Sequence, residues 1–390
     1  MEPRVRSRRS LFPRSLPRPK MRTDRSCRAR HFFLRALVLF LSLRALRALP
    51  SKRARALNNT VSAMLVFGDS TVDPGNNNYV RTAFKSDFPP YGRDFADQVP
   101  TGRFTNGRLA SDYIVSYIGI KDYVPAYLDP SLSFEDLKTG VSFASAGSGY
   151  DPLTPALSNV VSMPKQLEYF KEYKKRLAST MGKQSMERHI NKAAFLVSAG
   201  TNDFVVNYFT VPVRRRNFTV ATYQQFLLQH VKDLTKGLWE EGARRVGVVG
   251  LPPMGCLPIM ITLNSNSPLL QRGCMDQFSS VARDYNALLQ KELASMQSSL
   301  ASQGSRIYYA DIYQPLSDVI QRFPSYGFDQ ALSGCCGTGM LEASFMCNPK
   351  SFVCPDASRY VFWDSIHPSD KTYYLVFQTL RPVVDAIIRD

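Results

Sequence analysis

The sequence predicts an α/β protein built on a parallel sheet with helices on both faces. Three observations carry that prediction. Five apolar runs of strand length occur at 63–67, 140–144, 194–198, 245–250 and 306–309, most of them rich in β-branched or aromatic residues. Longer segments with helical spacing separate them, and alternation of strand and helix is the mark of a parallel sheet. Three of the runs end in polar, glycine-containing segments, at the strand ends where open parallel sheets bind ligands.

Taken in order, the first run leads into Gly68-Asp69-Ser70, the second into Ser145-Ala146-Gly147-Ser148-Gly149, and the third into Gly200-Thr201-Asn202-Asp203. These segments converge on one edge of the expected sheet. A helix is predicted over 222–241, where Tyr223, Leu227, Val231, Leu234 and Leu238 share a face, and another over 277–303 with Val281, Tyr285, Leu288 and Leu289. Residues 57–390 contain no internal repeat, low-complexity stretch or dividing linker, and read as a single domain.

Of 390 residues 44% are apolar, enough for a substantial core. The net charge of +17 suggests nucleic acid until it is located. Residues 1–56 hold 15 Arg and 2 Lys against Glu2 and Asp24, a balance of +15, which leaves +2 for residues 57–390. The body has no basic stripe for phosphate binding, so nucleic acid is excluded as a partner. The leader contains HFFLRALVLFLSLRAL, whose uninterrupted apolar part at 36–43 is far short of the ~18 residues of a membrane span. It reads as a signal peptide, with Ala54-Arg55-Ala56 as a small-x-small cleavage pattern and Met21 as an alternative start. Secretion is therefore expected, with organellar import as the competing reading of an Arg- and Ser-rich leader.

One of seven cysteines, Cys27, falls in the leader; the other six, Cys256, Cys274, Cys335, Cys336, Cys347 and Cys354, are an even set that suits an oxidising compartment. They allow 15 pairings, among which the sequence does not choose. No C-x-x-C pair or histidine cluster accompanies them, so no metal is expected. Asn58 and Asn217 open glycosylation sequons.

A serine hydroxyl becomes a useful nucleophile only with a base in hydrogen-bond reach. The chain has four histidines. His31 lies in the leader, His189 in the charged stretch MERHIN, and His230 beside the apolar face of a predicted helix. His367 remains, in Trp363-Asp364-Ser365-Ile366-His367-Pro368, with Asp364 three residues ahead and able to fold back onto the imidazole. Ser70, His367 and Asp364 are thus the candidate nucleophile, base and acid. The backbone N–H groups of Ser70 and Gly147 and the side-chain amide of Asn202 are candidates for an oxyanion hole, with Gly149 a neighbouring alternative to Gly147. Asp69 and Asp203 read as loop hydrogen-bonders. The G-x-S-x-G elbow of α/β-hydrolases is missing, as are P-loop and dinucleotide motifs.

The stretches VFGDSTVDPGNNNY, PPYGRDF, PTGRFTNGR, GVSFASAGSGYD, VSAGTNDF, LPPMGCLP, the CCGTG/CN/C cysteines and YVFWDSIHPSD occur in order from about Met64 to the last helix. Together they resemble the plant GDSL-type esterase/lipases of the SGNH hydrolase superfamily. The resemblance implies a three-layer α/β/α sandwich of flavodoxin-like topology with a mainly parallel five-stranded sheet, and neither metal nor cofactor. It implies Ser70 as nucleophile, Gly147 and Asn202 as partners of the Ser70 amide in the oxyanion hole, and Asp364 and His367 as acid and base. The arginine-rich leader departs from the family pattern. The expected function is hydrolysis of small-molecule, lipid or glycan esters through a Ser70 acyl-enzyme. The alternatives are acyl transfer from the same intermediate, or an idle wall-binding or storage scaffold. Oligomeric state and substrate identity are not encoded legibly.

Overall fold

The computed structural model describes residues 61–267 and 271–389. The leader, its cleavage pattern, Met21, Cys27 and Asn58 lie outside these residues. Four strands, β1 (Met64–Gly68), β2 (Ala194–Ser198), β3 (Arg245–Val249) and β4 (Arg306–Ala310), form a parallel sheet in the order β1-β2-β3-β4. All four coincide closely with apolar runs of the sequence.

The sheet has four strands where five were expected. Segment 141–145 does run along the outer edge of β1, with Val66 N–H on Val141 O (3.1 Å), Phe143 N–H on Val66 O (2.7 Å) and Ser145 N–H on Gly68 O (3.0 Å). On its far side, however, the carbonyls of Ser142 and Ala144 are taken by the side-chain amide of Asn76, each at 2.8 Å. Ser142 also exchanges backbone bonds with Pro125 and Tyr127 (2.9 Å each), and the Gly68 N–H that would continue the ladder along β1 goes to the Gln166 side chain, so the segment forms only isolated bridges, at Ser142. Counting this segment, chain order across the sheet is second, first, third, fourth, fifth, and its direction reverses beside β1.

Residues alternate between two cores, as the pleat of a strand requires. Leu65, Phe67, Phe195, Val197, Val246 and Val248 face one helical layer, while Met64, Val66, Ala194, Leu196 and Val249 face the other. The second layer is built by α1 (Ala110–Tyr117) and the C-terminal α6 (Asp370–Arg389). The first contains α3 (Met163–Met181), α4 (Val220–Glu240) and α5 (Asp276–Leu300), following the short α2 (Leu153–Ser158). Helix α4 begins where Thr219 accepts the N–H of Thr222, and it buries the predicted face of Tyr223, Leu227, Val231, Leu234 and Leu238.

A second, two-stranded parallel sheet pairs β5 (Gln330–Gly334) with β6 (Tyr360–Phe362). Sequence periodicity did not reveal it. Beyond β5, Cys335 and Cys336 donate their N–H groups to the carbonyls of Phe362 (3.1 Å) and Trp363 (2.8 Å). Disulfides Cys335–Cys354 and Cys336–Cys347 staple this region, and Cys256–Cys274 ties the segment after β3 to the start of α5. Closing loops of 11 to 19 residues, each bridge contributes on the order of 2–4 kcal/mol by restricting the unfolded chain.

Candidate active site

The end of β1 is gripped before the serine is reached. Gln166 of α3 accepts the Gly68 N–H (2.8 Å) and donates to the Gly68 carbonyl (2.9 Å). Gly68 has φ +147°, and a Cβ there would overlap the carbonyl oxygen of Ser198, so only glycine lets β1 and β2 end side by side. Asp69 then turns the chain: its Oδ1 accepts the N–H (2.9 Å) and hydroxyl (2.7 Å) of Thr71. Ser70 is left at the sheet edge, 7% exposed.

His367 meets it from the other end of the chain. Its Nε2 lies 2.8 Å from Ser70 Oγ, and its Nδ1 lies 2.7 Å from Asp364 Oδ2. The other carboxylate oxygen of Asp364 accepts the backbone N–H groups of Ile366 (2.8 Å) and His367 (2.7 Å), so the Asp-x-x-His segment folds back within one turn. A carboxylate only accepts, which puts the imidazole proton on Nδ1 and turns the Nε2 lone pair toward the serine hydroxyl. Asp364 and His367 are both buried.

Gly147 and Asn202 line the same cavity as Ser70 and His367. Gly147 has φ +85°. Neither its N–H nor that of Ser70 has a partner among the described residues. Asn202 spends one amide hydrogen on Ser148 O (2.9 Å) and keeps the second. Gly149 sits elsewhere, packed so closely on the Asp203 carboxylate that a Cβ would overlap it. Asp203 accepts the N–H groups of Tyr150 (2.8 Å) and Asp151 (3.2 Å) and the Thr154 hydroxyl, which shapes the loop following the two glycines. Burial pushes the carboxyls of Asp69 and Asp73 up to about 6 and that of Asp203 to about 7.

Several residues that the sequence reading left without a role organise this site. Tyr91, fully buried, donates to Asp364 Oδ2 (2.8 Å) and accepts the Ser344 N–H (2.8 Å). Buried Arg103 forms a two-pronged bridge with Asp112 (2.8 Å each), and the adjoining Phe104 ring lies 5.1 Å from the imidazole. Thr105 donates to Pro368 O (2.9 Å), and Asn106 accepts the Asp370 N–H (2.9 Å) at the start of α6. In the asparagine-rich loop, Asp73 accepts the Ala146 N–H (2.9 Å), and Asn77 donates to Ala146 O (2.9 Å), which fixes the approach to Gly147. The signal for all of these was their presence in polar, glycine-bearing motifs; their partners lie too far away in sequence to be read.

The cavity measures about 310 Å³, a size typical of small-molecule sites. Its walls are mainly apolar, including Phe84, Val205, Val206, Ile259, Phe345 and Met346. A hydroxyl beside a carboxylate-oriented imidazole, three N–H donors and an apolar chamber are the parts required for acyl transfer from an ester. No group of His, Cys, Asp or Glu among the described residues is arranged to hold a metal ion.

A profile of the GDSL-like Lipase/Acylhydrolase family matches residues 64–380. The chain belongs to that family. GDSL esterase/lipase At5g45960 of Arabidopsis thaliana is 60% identical over 87% of this chain and 90% of its own length. Two more from the same plant, At1g06990 and At2g40250, are 44% and 46% identical over 82% and 81% of the chain and 88% of their own lengths. Among solved structures, an alpha/beta hydrolase from the metagenome of Lake Arreo aligns over 84% of the chain and 97% of its own, with 9% identity and a TM-score of 0.37. That last likeness is too distant to add to the family assignment. As a GDSL enzyme the protein is a carboxylic ester hydrolase.

Proposed function

We propose that this GDSL hydrolase is a secreted serine esterase or lipase that works through an acyl-enzyme on Ser70. The observation that supports it most is the unbroken chain of hydrogen bonds from Ser70 Oγ to His367 to Asp364, at 2.8 and 2.7 Å, opening into an apolar cavity. Ser70 Oγ attacks the ester carbonyl while its proton passes to His367 Nε2. The carbonyl oxygen takes the negative charge, facing the N–H groups of Ser70, Gly147 and Asn202. Collapse expels the alcohol, which takes the proton from Nε2. Water then gives its proton to the same nitrogen, attacks the acyl-enzyme and releases the acid, returning the proton to Ser70.

Asp364 stays an acceptor throughout, holding the ring so that one nitrogen serves first as base and then as acid. The apolar walls favour esters whose acyl or alcohol part is hydrocarbon. Secretion fits the three disulfides and the exposed position of Asn217, a glycosylation candidate in the loop before α4. No helix of the described residues is long and apolar enough to cross a membrane. The test is turnover of p-nitrophenyl butyrate by purified Ser70→Ala protein. Loss of turnover with unchanged folding is expected; wild-type turnover contradicts the assignment.

A further inference from the structure

The mouth of the cavity is bounded by four short segments that hydrogen bonds link into one rim. Thr82 donates to Ser158 O (2.8 Å), Ser344 to the carbonyls of Ala83 (3.3 Å) and Lys85 (3.1 Å), and Asn207 to the Thr154 hydroxyl (3.1 Å). Segments 81–85, 153–159, 203–213 and 343–346 are thereby fastened together around the opening. Each contributes at least one residue to the cavity wall, among them Phe84, Ser158, Thr210 and Phe345.

Large exposed apolar side chains concentrate on this rim. Leu157 (48% exposed), Val211 (38%), Val213 (37%), Phe345 (55%) and Met346 (41%) all belong to it. Isolated exposed apolar residues need no explanation, but a group carried by the segments that bound an apolar cavity marks an interaction surface. Charge gives the surface a sign. Arg81, Arg215 and Arg216 are exposed and form no ion pair among the described residues. The neighbouring Arg214 is held against Asp151 by two bonds of 2.6 Å, which anchors the arginine turn beside the rim. The sole acidic residue on the four segments is Asp203, fully buried. Just outside these bounds lie Arg215 and Arg216 on one side and, on the other, exposed Asp87 and half-buried Glu342, the latter accepting the Thr338 N–H (2.9 Å) and hydroxyl (2.8 Å), so the exposed charge beside the apolar group is net positive.

We propose that this rim seats on an anionic lipid–water interface, so that ester substrates pass from the lipid phase into the cavity without crossing bulk water. This deepens the esterase reading and names where its substrate resides. The contact side chains come from several short segments, α2 among them, rather than from one flat helix or strand face, and a fluid interface, unlike a folded partner, accommodates such a set. Apolar side chains enter the acyl boundary while arginines pair with headgroup phosphates.

The experiment is vesicle co-sedimentation of the secreted protein carrying Ser70→Ala, so that binding is read without turnover and with any Asn217 glycan in place. Equal mixtures of phosphatidylcholine and phosphatidylglycerol should pellet the protein, pure phosphatidylcholine should pellet far less, and added salt should reduce the difference. Arg215→Glu with Arg216→Glu should lower partitioning into mixed vesicles on the order of tenfold or more. Leu157→Ser with Val211→Ser and Val213→Ser should lower it comparably. With Ser70 restored, both variants should turn over a soluble short-chain ester at the parent rate, because none of the five side chains lines the cavity. Failure of mixed vesicles to pellet the protein, or pelleting that neither variant reduces, overturns the proposal. Absence of turnover in the parent strikes the esterase reading instead and leaves the pelleting result standing.

Discussion

The proposed nucleophile and the proposed base of this site are held in place by different means. Ser70 follows a central strand and inherits its position from regular structure: Asp69 N–H bonds to Ser198 O on β2 (3.0 Å), and Gln166 clamps Gly68 from α3. Asp364 and His367 follow β6, which has three residues and one strand partner. Their loop is tethered by distant residues instead, by Tyr91 on the carboxylate, Thr105 on Pro368 O, and Cys336 on Trp363 O. A strand inside a sheet needs no such help, whereas a loop that must hold a carboxylate and an imidazole to a fraction of an ångström does. The asymmetry implies that distant substitutions should damage the acid–base half more readily than the nucleophile half.

The largest effect tests the junction of the two halves. His367→Ala should lower kcat by about 10⁴- to 10⁶-fold while the melting temperature stays near that of the parent; steady-state kinetics and calorimetry read the two. Next, Asn202→Ala should cost about 10²- to 10³-fold in kcat with little change in KM, because its amide serves charge that develops only in the transition state. A raised KM with unchanged kcat would make Asn202 a ground-state contact.

The disulfides sharpen the comparison directly. Replacing Cys336 and Cys347 by serine, or Cys256 and Cys274 by serine, should each cost about 2–4 kcal/mol in denaturant unfolding. Cys336 itself bonds to the Asp364 loop through Trp363 O, whereas Cys256 reaches it only through Ile259 N–H on Ser365 O, so the first replacement should lower kcat more, on the order of tenfold, where both variants remain folded. Equal kcat losses would break the distinction. Tyr91→Phe removes two hydrogen bonds, of which the one to Asp364, about 1 kcal/mol, should lower kcat roughly fivefold at unchanged KM, while the one from Ser344 N–H bears on stability.

The smallest effect concerns pH. Asp69, Asp73 and Asp203, all on the nucleophile and oxyanion loops, have their carboxyls raised by burial to about 6, 6 and 7. Between pH 4 and 7 the folded chain therefore binds more protons at these groups than the unfolded chain does, so their contribution to stability grows as pH falls and is lost as pH rises through about 7. Ser70→Ala protein should melt a few degrees higher at about pH 5 than at about pH 8. A melting temperature that climbs steadily over that interval would contradict these shifts.

What could be read from sequence follows the same division. Strands β1 to β4 announced themselves because each carries a run of apolar residues, buried throughout in β1 and β2 and only in part in β4, and Ser70 because it follows one of them. The residue types Asp364 and His367 were found by elimination and by spacing that a single turn satisfies. Their scaffold was not legible, since Tyr91 and Asp364 are 273 residues apart and no periodicity relates them. Strand β5, Gln-Ala-Leu-Ser-Gly, has no continuous apolar run to betray it: its burial pattern is that of β4, but it lacks the β-branched and aromatic residues that mark β4. Segment 140–144 had the composition of a strand, but its ladder along β1 stops where the Gln166 side chain takes the Gly68 N–H. Gly147 and Gly149 look alike in sequence; packing on Asp203 separates them.

Covalent trapping puts the account to its most direct trial. The wild-type protein is treated with a fluorophosphonate, digested and mapped by mass spectrometry. One phosphonyl adduct is expected on the peptide that contains Ser70, and none at Ser70 when His367→Ala protein is treated alike. Inhibited protein whose adduct lies on another residue, with Ser70 unmodified, would contradict the account.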